Sequence, residues 1–334
     1  MPKKRILTGD RPTGPLHIGH YLGSLKERVN LQKNNEEFIM VADVQALTDN
    51  FKTPEKVSEN VRGVVLDYLS VGLDPRLVTI FIQSQIPEIA ELTIFYLNIV
   101  NVGKLEQNPT VKTELKQKNF GKEIPVGFLV YPVSQAADIT SFEAELVPVG
   151  EDQLPMIELT RDIVKKFNTL YGKNTLTLPE AVLSNNQRLI GLDGKEKMSK
   201  SLNNAIYLSD TKDEVNKKVS KMYTDPNRIK TTDPGKVEGN PLFIYLDAFA
   251  RDQQEVKDLK KRYRLGKVGD VEVKSFLAQN LNDFLNPIRM RRQEFAGDTK
   301  KINKIIRDGS DHARQIASST LLKVKKAMKI NYTF

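Results

Sequence analysis

Short apolar runs alternate with amphipathic stretches through the first two hundred residues, and that alternation leaves few folds open. Ile6-Leu7-Thr8 is brief, Phe38 to Ala42 is continuously apolar, and Val78 to Ile82 is apolar apart from Thr79. Runs of this length suit strands covered on both faces, as in parallel sheets. Between the first two, Ile18, Tyr21, Leu22, Leu25 and Val29 recur at helical spacing. Val57, Val61, Val64, Val65, Tyr68 and Leu69 do the same between the second and third. Strand, helix and strand at this pitch imply right-handed crossovers and a doubly wound parallel sheet, an α/β architecture of Rossmann-like type. A later strand is predicted over Leu146 to Val149, then a helix from about Gln153 to Leu170.

After Ser201 the strand-like runs fade and charged helical sequence dominates, broken at Thr224-Asp225-Pro226-Asn227, at Asp233-Pro234-Gly235 and between Gly266 and Gly269. The expected organisation is a catalytic domain over 1–202, a smaller all-helical domain over 203–290, and a basic closing helix over 291–334 that packs back. A chain of 334 residues is long enough for such a core. From Arg289 onward there are twelve Lys or Arg against four Asp or Glu, most of the net charge of +9. A basic surface attracts polyanions by counterion release, although the same charges also suit a solvated helix face. No apolar run approaches the ~18 residues that span a bilayer. The start, Met1-Pro2-Lys3-Lys4-Arg5-Ile6-Leu7, is too short in its apolar part for a secretion signal. Without cysteine there is neither a disulfide framework nor a thiolate metal site. The chain is expected to be cytoplasmic, with no membrane contact.

Two motifs carry chemistry. Thr8 to His20 lies between the first strand and first helix, where ligands bind in a doubly wound sheet, and two of the three histidines, His17 and His20, flank Gly19. Glycines admit a ligand close to the backbone, and a helix start is expected to offer unpaired N–H groups to phosphate. Imidazoles there can stabilise charge that grows on a phosphoryl group. Far along the chain, Lys197-Met198-Ser199-Lys200-Ser201 follows Gly191-Leu192-Asp193-Gly194. Two lysines three apart on such a loop can close over a triphosphate and follow the leaving pyrophosphate.

His17-Ile18-Gly19-His20 and Lys197-Met198-Ser199-Lys200-Ser201 match both signatures of the class I aminoacyl-tRNA synthetases without a substitution. The resemblance continues through Ala42 to Asp49, Tyr131 to Asp138 and Val147 to Gln153, where the chain looks most like the bacterial-type tryptophan enzymes. It implies that His17, His20, Lys197 and Lys200 act on ATP during amino-acid adenylation. It further places Arg11, Thr13, Gly19, Met198, Ser199 and Ser201 around ATP, Gly150 and Asp152 at the adenosine ribose, and Lys112 near the triphosphate. For L-tryptophan it implies an acceptor for the indole N–H in Asp138 and a hold on the α-ammonium by Tyr131 and Gln153. Leu7, Gln135, Val147 and Val149 would line the pocket. Leu7, Arg11 and Gln135 depart from the commonest bacterial pattern, and tyrosine enzymes carry a glutamine in a context like that of Gln135.

A carboxylate accepts from an indole N–H or a phenol O–H alike, so Asp138 alone does not choose between tryptophan and tyrosine. The resemblance favours a tryptophan–tRNA ligase, with a tyrosine–tRNA ligase as the alternative. A nucleotidyltransferase or a synthetase-like RNA-binding protein are more distant readings. It also implies magnesium accompanying ATP, tRNA(Trp) as partner and a homodimer. Three histidines and no cysteine make a protein-bound zinc unexpected.

Overall fold

A computed structural model describes residues 3–118, 123–183, 189–200, 202–225, 228, 230 and 232–332. Five parallel strands form one sheet: β1 Arg5–Asp10, β2 Glu36–Val41, β3 Val78–Ile82, β4 Leu146–Val149 and β5 Glu180–Leu183, in the order β3-β2-β1-β4-β5. The winding reverses between β1 and β4, so the switch-point crevice opens beyond their carboxyl ends. Gly9 is required in this pairing, because a Cβ there would stand 2.4 Å from the Met40 carbonyl oxygen.

The strands alternate their side chains between two apolar layers. Ile39, Val41 and Ile80 face one layer, and Leu7, Phe38, Met40, Phe81 and Val147 face the other. The first layer continues without interruption into Leu242, Phe243, Leu246, Leu277, Leu281 and Leu285, so the helical half shares its core with the sheet. The Pro54–Val71 helix covers that face. It starts with Pro54, whose missing N–H costs nothing there, and stops at Gly72, whose φ of 108° suits a left-handed cap.

The segment predicted as one helix after β1 is broken into Ile18–His20, a widened turn over Tyr21–Leu25, and Lys26–Leu31. Wide turns of this kind loosen a helix where other demands compete, and here they adjoin the histidine motif. The division expected at 290/291 falls inside a continuous helix, Asp270–Ala296. The chain breaks instead at Gly297 and Asp298, where Asp298 accepts the Lys301 N–H and starts the Thr299–Ala327 helix.

That last helix lies along the open edge of β3. Gly309 makes the approach possible, since a Cβ would stand 2.0 Å from the Ile80 carbonyl oxygen, and the Ser310 hydroxyl accepts the Ile82 N–H at 3.3 Å. Covering an edge strand removes a template for unwanted pairing. Ala313, Ala317, Leu321 and Val324 then enter the second apolar layer. Among the described residues no helix is long and apolar enough to cross a membrane.

Candidate active site

The turn after β1 and the lysine segment are fastened to each other through their main chains. The Ile18 N–H donates to the Ile206 carbonyl at 3.0 Å, and the Leu208 N–H donates to the Leu16 carbonyl at 2.9 Å. His17 and Tyr207 thus form an antiparallel bridge. Gly19 allows a second contact: a Cβ there would stand 2.8 Å from the His17 ring and 3.3 Å from the Met198 sulfur. Met198 itself is buried in the apolar layer and acts as a peg between the two segments.

His17 and His20 cap one another. The His17 N–H donates to His20 Nδ1 at 3.1 Å, the His20 N–H donates to His17 Nδ1 at 3.3 Å, and the ring centroids are 3.8 Å apart. Both Nδ1 atoms are therefore acceptors, which leaves the proton of each neutral ring on Nε2. Burial drives both rings toward the neutral form, with the neighbouring lysines adding to it. His17 falls to about 2, and His20 falls to about 4 although Asp10 opposes the shift. Asp10 in turn is held by Arg28 at 2.8 Å and the Tyr68 hydroxyl at 2.9 Å. Burial raises its pKa, but Arg28, His20 and Lys200 outweigh that and bring it to about 2.

One expectation is corrected here. Four of the five main-chain amides from Leu16 to His20 have partners within the protein: Asp67, His20, Ile206 and His17 respectively for Leu16, His17, Ile18 and His20. Those four N–H groups are therefore not open to phosphate.

Lys200 reaches across to this turn, its Nζ donating to the Gly14 carbonyl at 2.7 Å. Burial lowers its pKa, while Asp10 and Asp67 pull the other way. Lys197 is exposed, and its charge is felt at both imidazoles. The segment is shaped by Asn204, which sequence reasoning missed: its Oδ1 accepts the Ser199 N–H at 2.8 Å and its Nδ2 donates to the Lys197 carbonyl at 3.3 Å. Gly191 is what lets Asn204 in, as a Cβ would fall 2.0 Å from Nδ2. Ser201 lies outside the described residues. Arg11 is exposed and pairs with Asp49 at 3.3 Å, and Thr13 is half-buried in the same turn.

On the other side of the crevice, Tyr131, Gln135 and Asp138 stand at positions i, i+4 and i+7 of the Val126–Ser141 helix, hence on one face. Asp138 is buried; its Oδ1 accepts from Gln83 Nε2 at 2.8 Å, while its Oδ2 has no partner among the described residues. Burial lifts its pKa to about 8, with Gln83 only partly offsetting. Gln83, another residue missed from sequence, is itself fixed by the Gln45 N–H at 3.0 Å. Tyr131 donates its hydroxyl proton to Glu114 at 2.7 Å, which leaves the phenol oxygen as an acceptor beside a carboxylate. Gln135 is half-buried; Leu7, Val147 and Val149 pack in the second apolar layer.

The loop after β4 is drawn toward the same region. Gly150 sits where a Cβ would meet Asp152 Oδ1 at 2.8 Å, and Gln153 Nε2 donates to Asp152 Oδ2 at 3.4 Å. The Asp152 carbonyl accepts the Thr110 hydroxyl at 2.8 Å, which brings up the Pro109–Lys118 helix with Lys112 exposed on it. Gln83, Glu114 and Asn204 belong to no motif, so only the folded chain reveals them.

A pair of neutral imidazoles with two lysines nearby suits a phosphorylated ligand, and a buried carboxyl with one oxygen unpartnered among the described residues suits a hydrogen-bond donor in an apolar setting. A model of the class I tRNA synthetases for tryptophan and tyrosine matches residues 2–286, and the chain belongs to that family. A tryptophan–tRNA ligase of Clostridium longisporum is 57% identical over 336 residues, spanning 99% of this chain and 98% of its own length. That of Streptococcus pyogenes serotype M1 is 57% identical over 339 residues, spanning 99% of this chain and all of its own. Among solved structures, tryptophanyl-tRNA synthetase from Campylobacter jejuni complexed with ADP and tryptophan superposes with a TM-score of 0.86 at 31% identity, covering 97% of this chain and 99% of that one.

Proposed function

We infer that the chain is a tryptophan–tRNA ligase. The observation that carries this reading is the docking of the histidine turn and the lysine segment onto one another after β1, with Lys200 bonded to Gly14 and its charge felt at both imidazoles. In the first step a carboxylate oxygen of tryptophan bonds to the α-phosphorus of ATP. The bond from that phosphorus to the β-phosphate oxygen breaks, and pyrophosphate leaves. In the second, a terminal ribose hydroxyl of the tRNA attacks the activated carbonyl and AMP leaves. Side chains form no covalent intermediate. Positioning and charge stabilisation by His17, His20, Lys197 and Lys200 carry the first step. Magnesium enters with ATP as part of the substrate, ligated by phosphates and water.

For the amino acid, the Asp138 Oδ2, unpartnered among the described residues, supports recognition of a ring N–H and disfavours phenylalanine, which would leave it unmet. Tyr131 with Glu114, and Gln153, supply acceptors for the α-ammonium, with Leu7, Gln135, Val147 and Val149 around the side chain. Gly150 and Asp152 are assigned to the ribose, and Arg11, Thr13, Gly19, Lys112, Met198, Ser199 and Ser201 to the remainder of ATP. The helical segment after 202 and the basic end are assigned to tRNA. We further assign a homodimer in the cytoplasm; exposed Phe51, Ile94 and Val102 are apolar surface that a second copy would cover.

The chain contains no tryptophan, so added tryptophan is the only indole in the sample. Its emission is expected to shift on binding and again with ATP, and ATP–pyrophosphate exchange is expected with tryptophan but not tyrosine. Exchange driven by tyrosine alone would replace this reading with the tyrosine enzyme. Sedimentation showing only monomer at working concentration would remove the dimer.

A further inference from the structure

We propose that Asp67 and Arg292 form a latch through which the helical half of the chain positions the histidine turn for adenylation. The proposal rests on the assignment of that turn to ATP. Asp67 lies on the Pro54–Val71 helix and is fully buried. Its two oxygens serve opposite directions. Oδ2 accepts the Leu16 N–H at 2.8 Å, one residue before His17, and Oδ1 accepts from Arg292 Nη1. Arg292 also donates to the Gly63 carbonyl at 3.4 Å, and its neighbour Arg291 donates to the Ser70 carbonyl at 2.6 Å. The two arginines thereby grip one turn above and one turn below the carboxylate.

Both arginines belong to the Asp270–Ala296 helix, a rod about 40 Å long at ~1.5 Å per residue. Its far end is equally well tied. Asp270 pairs with Arg228 at 2.8 Å and accepts the Tyr263 hydroxyl at 2.8 Å. Pro287 lies within the helix, and its ring removes a backbone hydrogen bond one turn before the arginines. A displacement of the helical half therefore reaches Asp67 through a rod with one built-in bending point. From there it reaches Leu16 through a single buried hydrogen bond.

A buried carboxylate that loses its cation is left uncompensated and favours its protonated form, which accepts an N–H less strongly than the ionised one. The grip on Leu16 then weakens, with no substrate contact altered. Asp67 and Arg292 touch no substrate in this scheme, and are positioning residues.

The test compares Arg292→Gln, Arg292→Lys, Asp67→Asn and the Arg292→Gln/Asp67→Asn pair in the full-length protein. Arg292→Gln is expected to lower kcat of tryptophan-dependent pyrophosphate exchange about tenfold with the tryptophan KM unchanged, and Arg292→Lys to restore part of it. The double variant is expected to be no worse than the poorer single one. Amide-hydrogen exchange gives a readout independent of the reaction. Leu16 and the turn to His20 are expected to exchange faster in Arg292→Gln, while the Lys212–Ser220 helix keeps its protection. Unchanged exchange at the turn overturns the latch, as do losses that multiply in the double variant or a parallel rise in the tryptophan KM. Failure of the wild-type protein to activate tryptophan would overturn the functional reading instead, and the amide measurement would still decide the latch.

Discussion

At the residue scale the site is governed by protons that are held in place. Because each imidazole accepts at Nδ1 from the other's main chain, a proton added there would face an N–H group. The nitrogen-15 resonances of His17 and His20 are therefore expected to keep the neutral, Nε2-protonated pattern down to pH 5. Titration of either near 6.5 would show the mutual cap to be absent. Asp138 behaves in the opposite sense. With its pKa at about 8 when no ligand is bound, it is mostly protonated at pH 7. An indole N–H favours the ionised form, so tryptophan affinity is expected to weaken up to about tenfold per unit as the pH falls from 8 to 6. Calorimetry with proton release followed in two buffers would check this, and an affinity flat across that range would contradict it. Lys200→Ala is expected to lower exchange turnover roughly a hundredfold while tryptophan affinity stays near wild type, the mark of an interaction made in the transition state. Of these residues, the histidines, lysines and Asp138 stand out in the sequence because they sit in contiguous motifs. Gln83, Glu114, Asn204, Asp67 and Arg292 do not, because each reaches its partner only across the folded chain.

Among the elements, the strands were legible wherever an apolar run was continuous, as in β2 and β3. The helix after β1 was read as regular, yet the structure divides it, since apolar spacing reports which face is buried and not how the hydrogen bonds close. Two predictions belong to this scale. Glu37 on β2 is buried, and neither of its oxygens has a partner among the described residues. Burial raises its pKa to about 8 against the opposing pull of Arg28, with Glu27 adding to the rise. The folded form thus holds a proton that the unfolded chain releases at about 4.5. Stability from this group is complete below pH 4.5 and is lost as pH rises toward 8, by up to about 1.4 kcal/mol per unit. Glu37→Gln is expected to unfold at a higher temperature than wild type at pH 8, with the gap closing by pH 4.5. Thermal melts that run parallel across this range would refute it. Gly309→Ala tests the closure of the β3 edge. Backbone cannot yield to a Cβ as a flexible side chain would, so about 1–3 kcal/mol of stability should be lost, measured by urea unfolding.

Over the whole molecule, the helical half is not an appendage, since one apolar layer runs from Leu16 through Ile80 to Leu285. The sequence marks the change of texture after Ser201, but texture follows secondary structure, and a core continues wherever apolar faces meet. The net charge of +9, gathered near the closing helix, leads to an expectation about tRNA. Its affinity should fall steeply with salt, each neutralised phosphate adding roughly 0.7–0.9 to the logarithmic slope. Replacing Lys300 and Arg307 with glutamine should flatten that slope and leave pyrophosphate exchange untouched. An unchanged slope would move the tRNA contact to another face.

The internal satisfaction of the amides around the histidines has one more consequence. A bare helix start attracts small oxyanions indiscriminately, so sulfate or free orthophosphate would occupy it and compete with the nucleotide. Here the amides at Leu16, His17, Ile18 and His20 are spoken for, and the remaining donors are spread over two chain segments. A molecule that meets imidazole and lysine together gains from both, so the turn is expected to hold a polyphosphate more tightly than a single small oxyanion.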